Sequence, residues 1–317
     1  MTNKTEPETN RSAWSGPSRL RSAQGAVTAL VLFGCALITI VTTFLILGVL
    51  GGETISFFRV SKIGLIEFFS GTEIDFKSAR PRFGLPPLIW GTFVIAVGAS
   101  LVALPIGLLS AIFLSEYAPE RLRRVLKPTL ELLAGIPTIV YGYLALTVIT
   151  PWLQSVLAPL GIRVEQFNAF SGCVVVGIMI VPLVSSLSED VLSAAPRSLR
   201  EAGYALGATK FEVATRIVLP ASFSGVAASF ILAISRAIGE TMAVVLAAGS
   251  LAQIKLNPFT SIETMTAYIV AVTNGEASYG SPEYLSLFAV GITLFFMTLC
   301  LNMLSGAVIR RYREATP

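Results

Sequence analysis

Arg236 and Glu240 stand four residues apart within the apolar run FILAISRAIGETMAVVLAAG. Either charge at the centre of a bilayer costs about 2.5 to 3.5 kcal/mol on insertion scales, so such residues ordinarily face a cavity, a partner or a pathway. A guanidinium offers a planar fork of donors that suits a tetrahedral oxyanion such as phosphate or sulfate. At about 3.6 residues per turn, Ser229, Ala233, Arg236, Glu240, Ala243 and Ala247 share one face of a single helix, small except for the charged pair. That face either borders a narrow passage or makes a close helix contact, since small residues let backbones approach in lipid. The competing account of the pair is a buried salt bridge that fixes helix register. An Arg placed before Glu in this spacing returns only about 0.2 to 0.5 kcal/mol, well below the insertion cost, which favours a pathway. Arg236, Glu240 and the adjoining Thr241 are therefore the expected substrate pathway. Glu240 is expected to neutralise Arg236 when the passage is empty, and an arriving oxyanion to compete for the guanidinium.

A second constellation is the polar interruption at 201–220, EAGYALGATKFEVATRIVLP. Ser198 with Glu201, and Thr209 with Glu212, have the spacing of capping boxes that start two short helices. Gly207 suits the left-handed residue that ends the first helix, and Pro220 closes the second. Tyr204, Phe211 and Val213 then lie exposed near the turn, and exposed apolar side chains on a polar surface want a partner groove. From capping alone, a hairpin that merely connects two spans is the preferred account of the segment. The chain carries no G-x-x-x-x-G-K-[ST] loop, so any ATP hydrolysis belongs to another polypeptide.

These residues must be positioned by membrane helices. Of 317 residues, 54% are hydrophobic and 13% charged, with a mean hydropathy of +0.74, the composition of an integral membrane protein. Apolar runs long enough to cross the hydrocarbon core at about 1.5 Å per residue occur at 26–50, 88–114, 129–150, 170–187, 225–249 and 284–308. This predicts an all-α protein with six transmembrane helices. Fifteen Lys and Arg residues fall on one side, among them Arg123, Lys127, Arg200 and Lys210, and seven on the other, among them Arg82 and Lys255. The positive-inside rule then places both termini and the 201–220 segment in the cytoplasm of a cell-membrane protein. The pI near 9.0 is topological, and no nucleic-acid-binding motif accompanies it.

Residues 1–25 read as a disordered cytoplasmic tail, 26–308 as the six-helix transmembrane domain with its cytoplasmic segment at 198–220, and 309–317 as a second tail. ETISFFRVSKIGLIEFFS suits either a helix lying in the membrane interface or an amphipathic loop packed on the bundle. A helix over 261–272 would be capped by Ser261 and stopped at Asn274 and Gly275. Pro137, between Gly135 and Gly142, predicts a kink inside the third span, serving either packing or gating. Cys35, Cys173 and Cys300 read as small packing residues. With no His in the chain, His-based triads, relays and metal sites are excluded, and no catalytic residue, metal or cofactor is expected.

Glu201, Ala202, Gly203, Gly207, Ile217, Leu219 and Pro220 resemble the E-A-A-x3-G-x9-I-x-L-P signature of bacterial ABC importer permeases at every spacing, with Gly203 in place of the second Ala. Together with RAIGETMAV at 236–244 and AGIPTIVYG at 134–142, the chain resembles the PstC family of phosphate importer permeases over residues 25 to 313. The resemblance implies a type I importer fold (MetI-like), with an ATPase gripping the 201–220 segment. It also implies a PstA-like sister permease, a PstB-like ATPase dimer, an external PstS-like phosphate-binding protein, and a link to sensing through PhoR and PhoU. Lipid is the surrounding partner, and nucleic acid is none. A sulfate or molybdate permease would share the segment and is separated by anion competition. A gradient-driven carrier or channel would need no ATPase, and a non-transporting scaffold would have no reason to keep Arg236 with Glu240.

Overall fold

The computed structural model describes residues 19–76, 81–275 and 277–314, and the chain divides into two compact units, Met1–Val49 and Leu50–Pro317. The first unit is helical from Arg19 onward, as the start of α1 (Arg19–Ser61). Helix thus begins inside the segment expected as a tail, and residues 1–18 of that expectation lie outside the described residues. Leu30, Phe33, Ile38 and Phe44 are all exposed, as on a helix apolar on every side whose solvent is lipid.

In the second unit α1 ends and is followed by α2 (Leu65–Ser70), then by two short antiparallel strands, β1 (Ile74–Asp75) and β2 (Arg82–Phe83), paired with Ile74 opposite Phe83. Phe57, Phe68 and Phe83 pack with ring centroids 5.5 to 6.0 Å apart and form a core with Leu88, Met265, Tyr268 and Leu285. ETISFFRVSKIGLIEFFS is therefore packed on the fold through its phenylalanines.

Next comes α3 (Pro86–Ile112), with prolines in its first turn, where the missing N–H costs nothing. It runs on through a π-helical turn, Phe113–Tyr117. After it come α4 (Glu120–Ala134), α5 (Thr138–Leu144) with a π-helical turn at Ala145–Ile149, and α6 (Thr150–Leu157). α7 (Ala169–Ser193) is capped by the Asn168 side chain, which accepts from the Ser171 N–H at 2.8 Å. Small residues let α3 and α7 approach closely, Gly107 facing Val184 and Gly177 facing Val102.

The remainder is α8 (Arg197–Ala205), α9 (Lys210–Glu212), a π-helical turn at Val213–Val218, α10 (Leu219–Ala221), α11 (Phe223–Ile238), α12 (Met242–Ala248), α13 (Met265–Asn274) and α14 (Pro282–Glu314). α3, α5, α7, α11 and α12 enclose an alanine-rich core that includes Ala99, Ala103, Ala233, Ala243 and Ala247. Five helices are long and apolar enough to cross a membrane: Val27–Ser61, Pro86–Tyr117, Thr138–Leu160, Ala169–Ser193 and Pro282–Ala307. The count reaches six if Lys210–Ala221 and Phe223–Ile238, bent by 76°, are one span.

Four expectations are corrected here. The third span begins at Thr138, not 129, because α4 is an amphipathic helix with no buried residue. Pro137 is accordingly not a kink within a span but the N-cap of α5; a proline fits a helix boundary and pushes the preceding residue out of the helical region. α13 is capped by Thr264, whose hydroxyl accepts from the Ala267 N–H at 3.2 Å, not by Ser261, although it does stop at Asn274. Among the cysteines only Cys173 packs inside; Cys35 and Cys300 are exposed.

Candidate functional site

The expected fifth span is interrupted where its charges lie. α11 ends at Ile238 with Gly239 as its C-cap, residues 239–241 are not helical, and α12 starts at Met242. Arg236 and Glu240 are therefore not on successive turns of one helix. Arg236 sits exposed in the last turn of α11, where the negative end of the helix dipole favours a cation. Glu240 is buried; its Oε1 accepts from the Ala243 N–H at 3.3 Å, and its backbone carbonyl accepts from the Thr266 hydroxyl of α13 at 2.7 Å. Thr241 is half-buried and donates to the Gly239 carbonyl at 3.3 Å. Among the described residues no ion pair joins Arg236 to Glu240. The expected neutralisation is corrected, since Glu240 serves the helix break instead.

The small-residue face makes helix contacts. The Ser229 hydroxyl meets that of Ser188 on α7 at 2.7 Å. Ala233, Ala243 and Ala247 are buried, and Gly142 of α5 lies against Ala243. Arg236 projects off this face, beside Ser235, whose hydroxyl donates to Asn302 Oδ1 of α14 at 2.8 Å. An exposed fork of donors at a break in a span can hold an anion by charge-assisted hydrogen bonds.

The 201–220 segment folds as two helical arms. The first, α8, is capped by Pro196 with no side-chain hydrogen bond, which corrects the capping box at Ser198, and Glu201 is exposed. Its end is a Schellman turn: Ala208 N–H donates to the Gly203 carbonyl at 3.1 Å and Gly207 N–H to that of Tyr204 at 3.0 Å. Gly207 sits at φ +79°, a conformation that suits glycine. The second arm opens with the expected capping box, Thr209 and Glu212 each bonding the other's backbone N–H. Tyr204 and Phe211 are exposed as expected, with Ala202 beside them, and Leu206, which the sequence reading missed, is 89% exposed. Val213 is buried, contrary to expectation. It packs with Ile217 over Gly203, where an added Cβ would lie 2.6 Å from Ile217 Cδ1 and 3.0 Å from Val213 Cγ2. Leu219 is half-buried, and Pro220 is exposed one residue before the arm ends.

Two ionic clusters tie the first arm and α4 to the spans. Glu189 of α7 is fully buried and is paired with Arg123 and with Lys127 of α4, the latter at 2.7 Å; Ser193 donates to it at 2.7 Å. Burial pulls the Lys127 ammonium down, but hydrogen bonds to Asp190 and Glu189 outweigh it and hold the group above its ordinary value. Arg200 of α8 pairs with Glu116 at 2.8 Å. Sequence reading placed these cations by topology alone and missed their partners, which lie 62 to 84 residues away. Among the described residues no group of three or more His, Cys, Asp or Glu is placed to hold a metal ion.

Residues 103–314, more than half of the chain, match the family described as binding-protein-dependent transport system inner membrane component. The chain belongs to that family. It is a permease component of a binding-protein-dependent ABC importer and a multi-pass inner-membrane protein, and such permeases work with ATPase and substrate-binding partners. The permease is 33% identical over 275 residues to the probable ABC transporter permease protein YqgH of Bacillus subtilis, covering 87% of each chain. It is 34% identical over 291 residues to the phosphate transport system permease protein PstC of Mesorhizobium japonicum, covering 86% of this chain and 88% of that one.

Two solved transporters share its fold. One is the MetNI methionine ABC transporter in inward-facing conformations, with a TM-score of 0.56 and 15% identity over 72% of this chain and 95% of that one. The other is a bacterial alginate ABC transporter in complex with an alginate-bound periplasmic protein, with a TM-score of 0.59 and 18% identity over 91% and 96%. The permease has the type I importer fold that the sequence predicts.

Proposed function

We propose that this permease is the PstC-type subunit of an ATP-driven phosphate importer, and that Arg236 lines its half of the passage. The carrying observation is the exposed guanidinium at the break between α11 and α12, unpaired with Glu240. An Arg already committed to a carboxylate would have to surrender it before binding an anion, whereas this one presents its fork directly. Glu240 keeps the break open by capping α12 and accepting from Thr266, and Thr241 adds a hydroxyl beside the passage. The curated relatives named as phosphate transport permeases support phosphate as the anion.

The sister half of the passage is a PstA-like permease. A PstB-like ATPase dimer grips Tyr204, Leu206 and Phe211 at the turn between the two arms, and hydrolyses the ATP. A PstS-like protein delivers phosphate from outside. Both termini and the 201–220 segment face the cytoplasm, as the distribution of Lys and Arg supports.

The test is radiolabelled phosphate uptake in vesicles carrying all four components, with and without ATP, with sulfate and molybdate as competitors. Uptake that needs the ATPase and ignores both competitors is expected. Inhibition by sulfate or molybdate would move the substrate to another oxyanion, and uptake without the ATPase would replace the importer with a gradient-driven carrier.

A further inference from the structure

Both arms of the 201–220 hairpin are held by two consecutive residues of one other element. Glu116 and Tyr117 end the π-helical turn that prolongs α3. Arg200, from the first arm, places Nη2 2.8 Å and Nε 3.1 Å from Glu116 Oε1. The same guanidinium donates to the carbonyls of Leu192 and Ala195 at the end of α7, at 2.8 and 2.7 Å. Its side chain is 17% exposed and that of Glu116 only 5%, so the pair is little screened by water. Lys210, the first residue of the second arm, lies over the Tyr117 ring with Nζ 5.1 Å from its centroid, a cation–π distance.

From this point α3 runs alongside α11, and the two border a groove of about 370 Å³ lined by Leu101, Pro105, Ile234 and Ile238. Arg236 falls between the last two in sequence and so lies on the other side of α11 from the groove. A π-helical turn is a weaker point in a helical ladder and recurs at functional positions. Pro105 removes a second backbone bond inside α3.

We propose that Glu116 and Tyr117 are positioning residues that clasp the two arms and convert movement of the ATPase-gripped hairpin into movement of α3 against α11. The inference rests on the ATP-driven reading above. Each arm is held by a different interaction, a buried ion pair for α8 and a cation–π contact for α9, so the hairpin moves as one body with the end of α3. Loss of either hold lets an arm shift without α3, and hydrolysis then runs without transport.

The test measures phosphate uptake and ATP hydrolysis on the same proteoliposomes of the complete importer, and reads their ratio. Glu116→Arg is expected to lower phosphate moved per ATP about tenfold, a typical size for coupling between sites, with the ATPase still bound. Exchange of the pair, Glu116→Arg with Arg200→Glu, is expected to recover most of the ratio. Tyr117 is partly exposed, so its variants spare the fold: Tyr117→Phe keeps the ring and the ratio, and Tyr117→Leu lowers it. An unchanged ratio in Glu116→Arg and Tyr117→Leu would overturn the clasp and leave the importer reading intact. Wild-type uptake that does not need the ATPase would overturn both.

Discussion

Arg236 combines exposure with a helix C-terminus, where the helix dipole favours a cation, and in the proposed function its free fork contacts the anion. Its neighbour in sequence does different work: the Glu240 carboxylate satisfies a backbone N–H that the break at 239–241 would otherwise leave without a partner. A third charged residue, Glu263, is 6% exposed in the segment leading to α13, and burial pushes its carboxyl up to about 7 from the ordinary 4.5. Below about pH 4.5 it is neutral in both folded and unfolded chains and has no effect on stability. As pH rises toward 7 the unfolded chain ionises first, so the folded state loses on the order of 3 kcal/mol, in full above pH 7. Glu263→Gln should therefore raise the thermal midpoint of the detergent-solubilised permease at pH 8 and leave it nearly unchanged at pH 4.5; equal effects at both would refute buried ionisation. Gly203 gives a packing prediction. Gly203→Ala, which restores the residue of the importer signature, meets the tip of Ile217, a cost that the gain of about 1 kcal/mol in helix propensity within α8 offsets, so the thermal midpoint should change little. The added substitution Ile217→Val removes the contact and should leave a net gain, as read from the same thermal midpoint.

At the scale of elements, α4 is the clearest case of a helix held by charge, since it has no buried residue and its ion pairs to other elements reach α7 through Glu189 and Asp190. Glu189→Ala leaves Arg123 and Lys127 without this partner. Because both cations reach solvent, the cost is expected at about 2 kcal/mol, below that of breaking a fully buried pair. Limited proteolysis should then cut within 120–134 before any span is cut; unchanged protection would show α4 held by something else. Most spans were legible in the sequence because length of apolar run is a one-dimensional signal. The third was misplaced because Leu132 and Leu133 of α4 prolong the apolar run ahead of Pro137. The break in the fifth was hidden for a related reason: the non-helical residues 239–241 return Ala243 and Ala247 to the buried side, so the small-residue period runs through Gly239 unbroken. Yet Arg in a last turn followed by Gly is a helix-stop pattern, and it was there to be read. The hairpin was legible at Gly207 and Thr209, whose partners are local. Glu116, Glu189 and the burial of Val213 were not, because their contacts depend on where distant helices meet.

For the whole molecule, family membership and fold agree on an importer permease, and the physical account adds where force enters and where substrate passes. In the proposed reading, force enters at exposed Tyr204, Leu206 and Phe211, and the substrate passes at Arg236. The proposed clasp would link hairpin movement to α11 through α3, which runs from the hairpin's support to the groove it shares with α11. The measurement that tests the central claim most directly is ATP-driven phosphate uptake by Arg236→Gln, beside Glu240→Gln, in complexes matched for assembly. The account predicts that Arg236→Gln lowers uptake by about a hundredfold or more, as expected when a charge-assisted contact worth roughly 3 kcal/mol is lost. It predicts a milder loss for Glu240→Gln, whose amide oxygen still caps α12. Uptake by Arg236→Gln equal to wild type would contradict it, and would make the guanidinium a structural feature of the helix end.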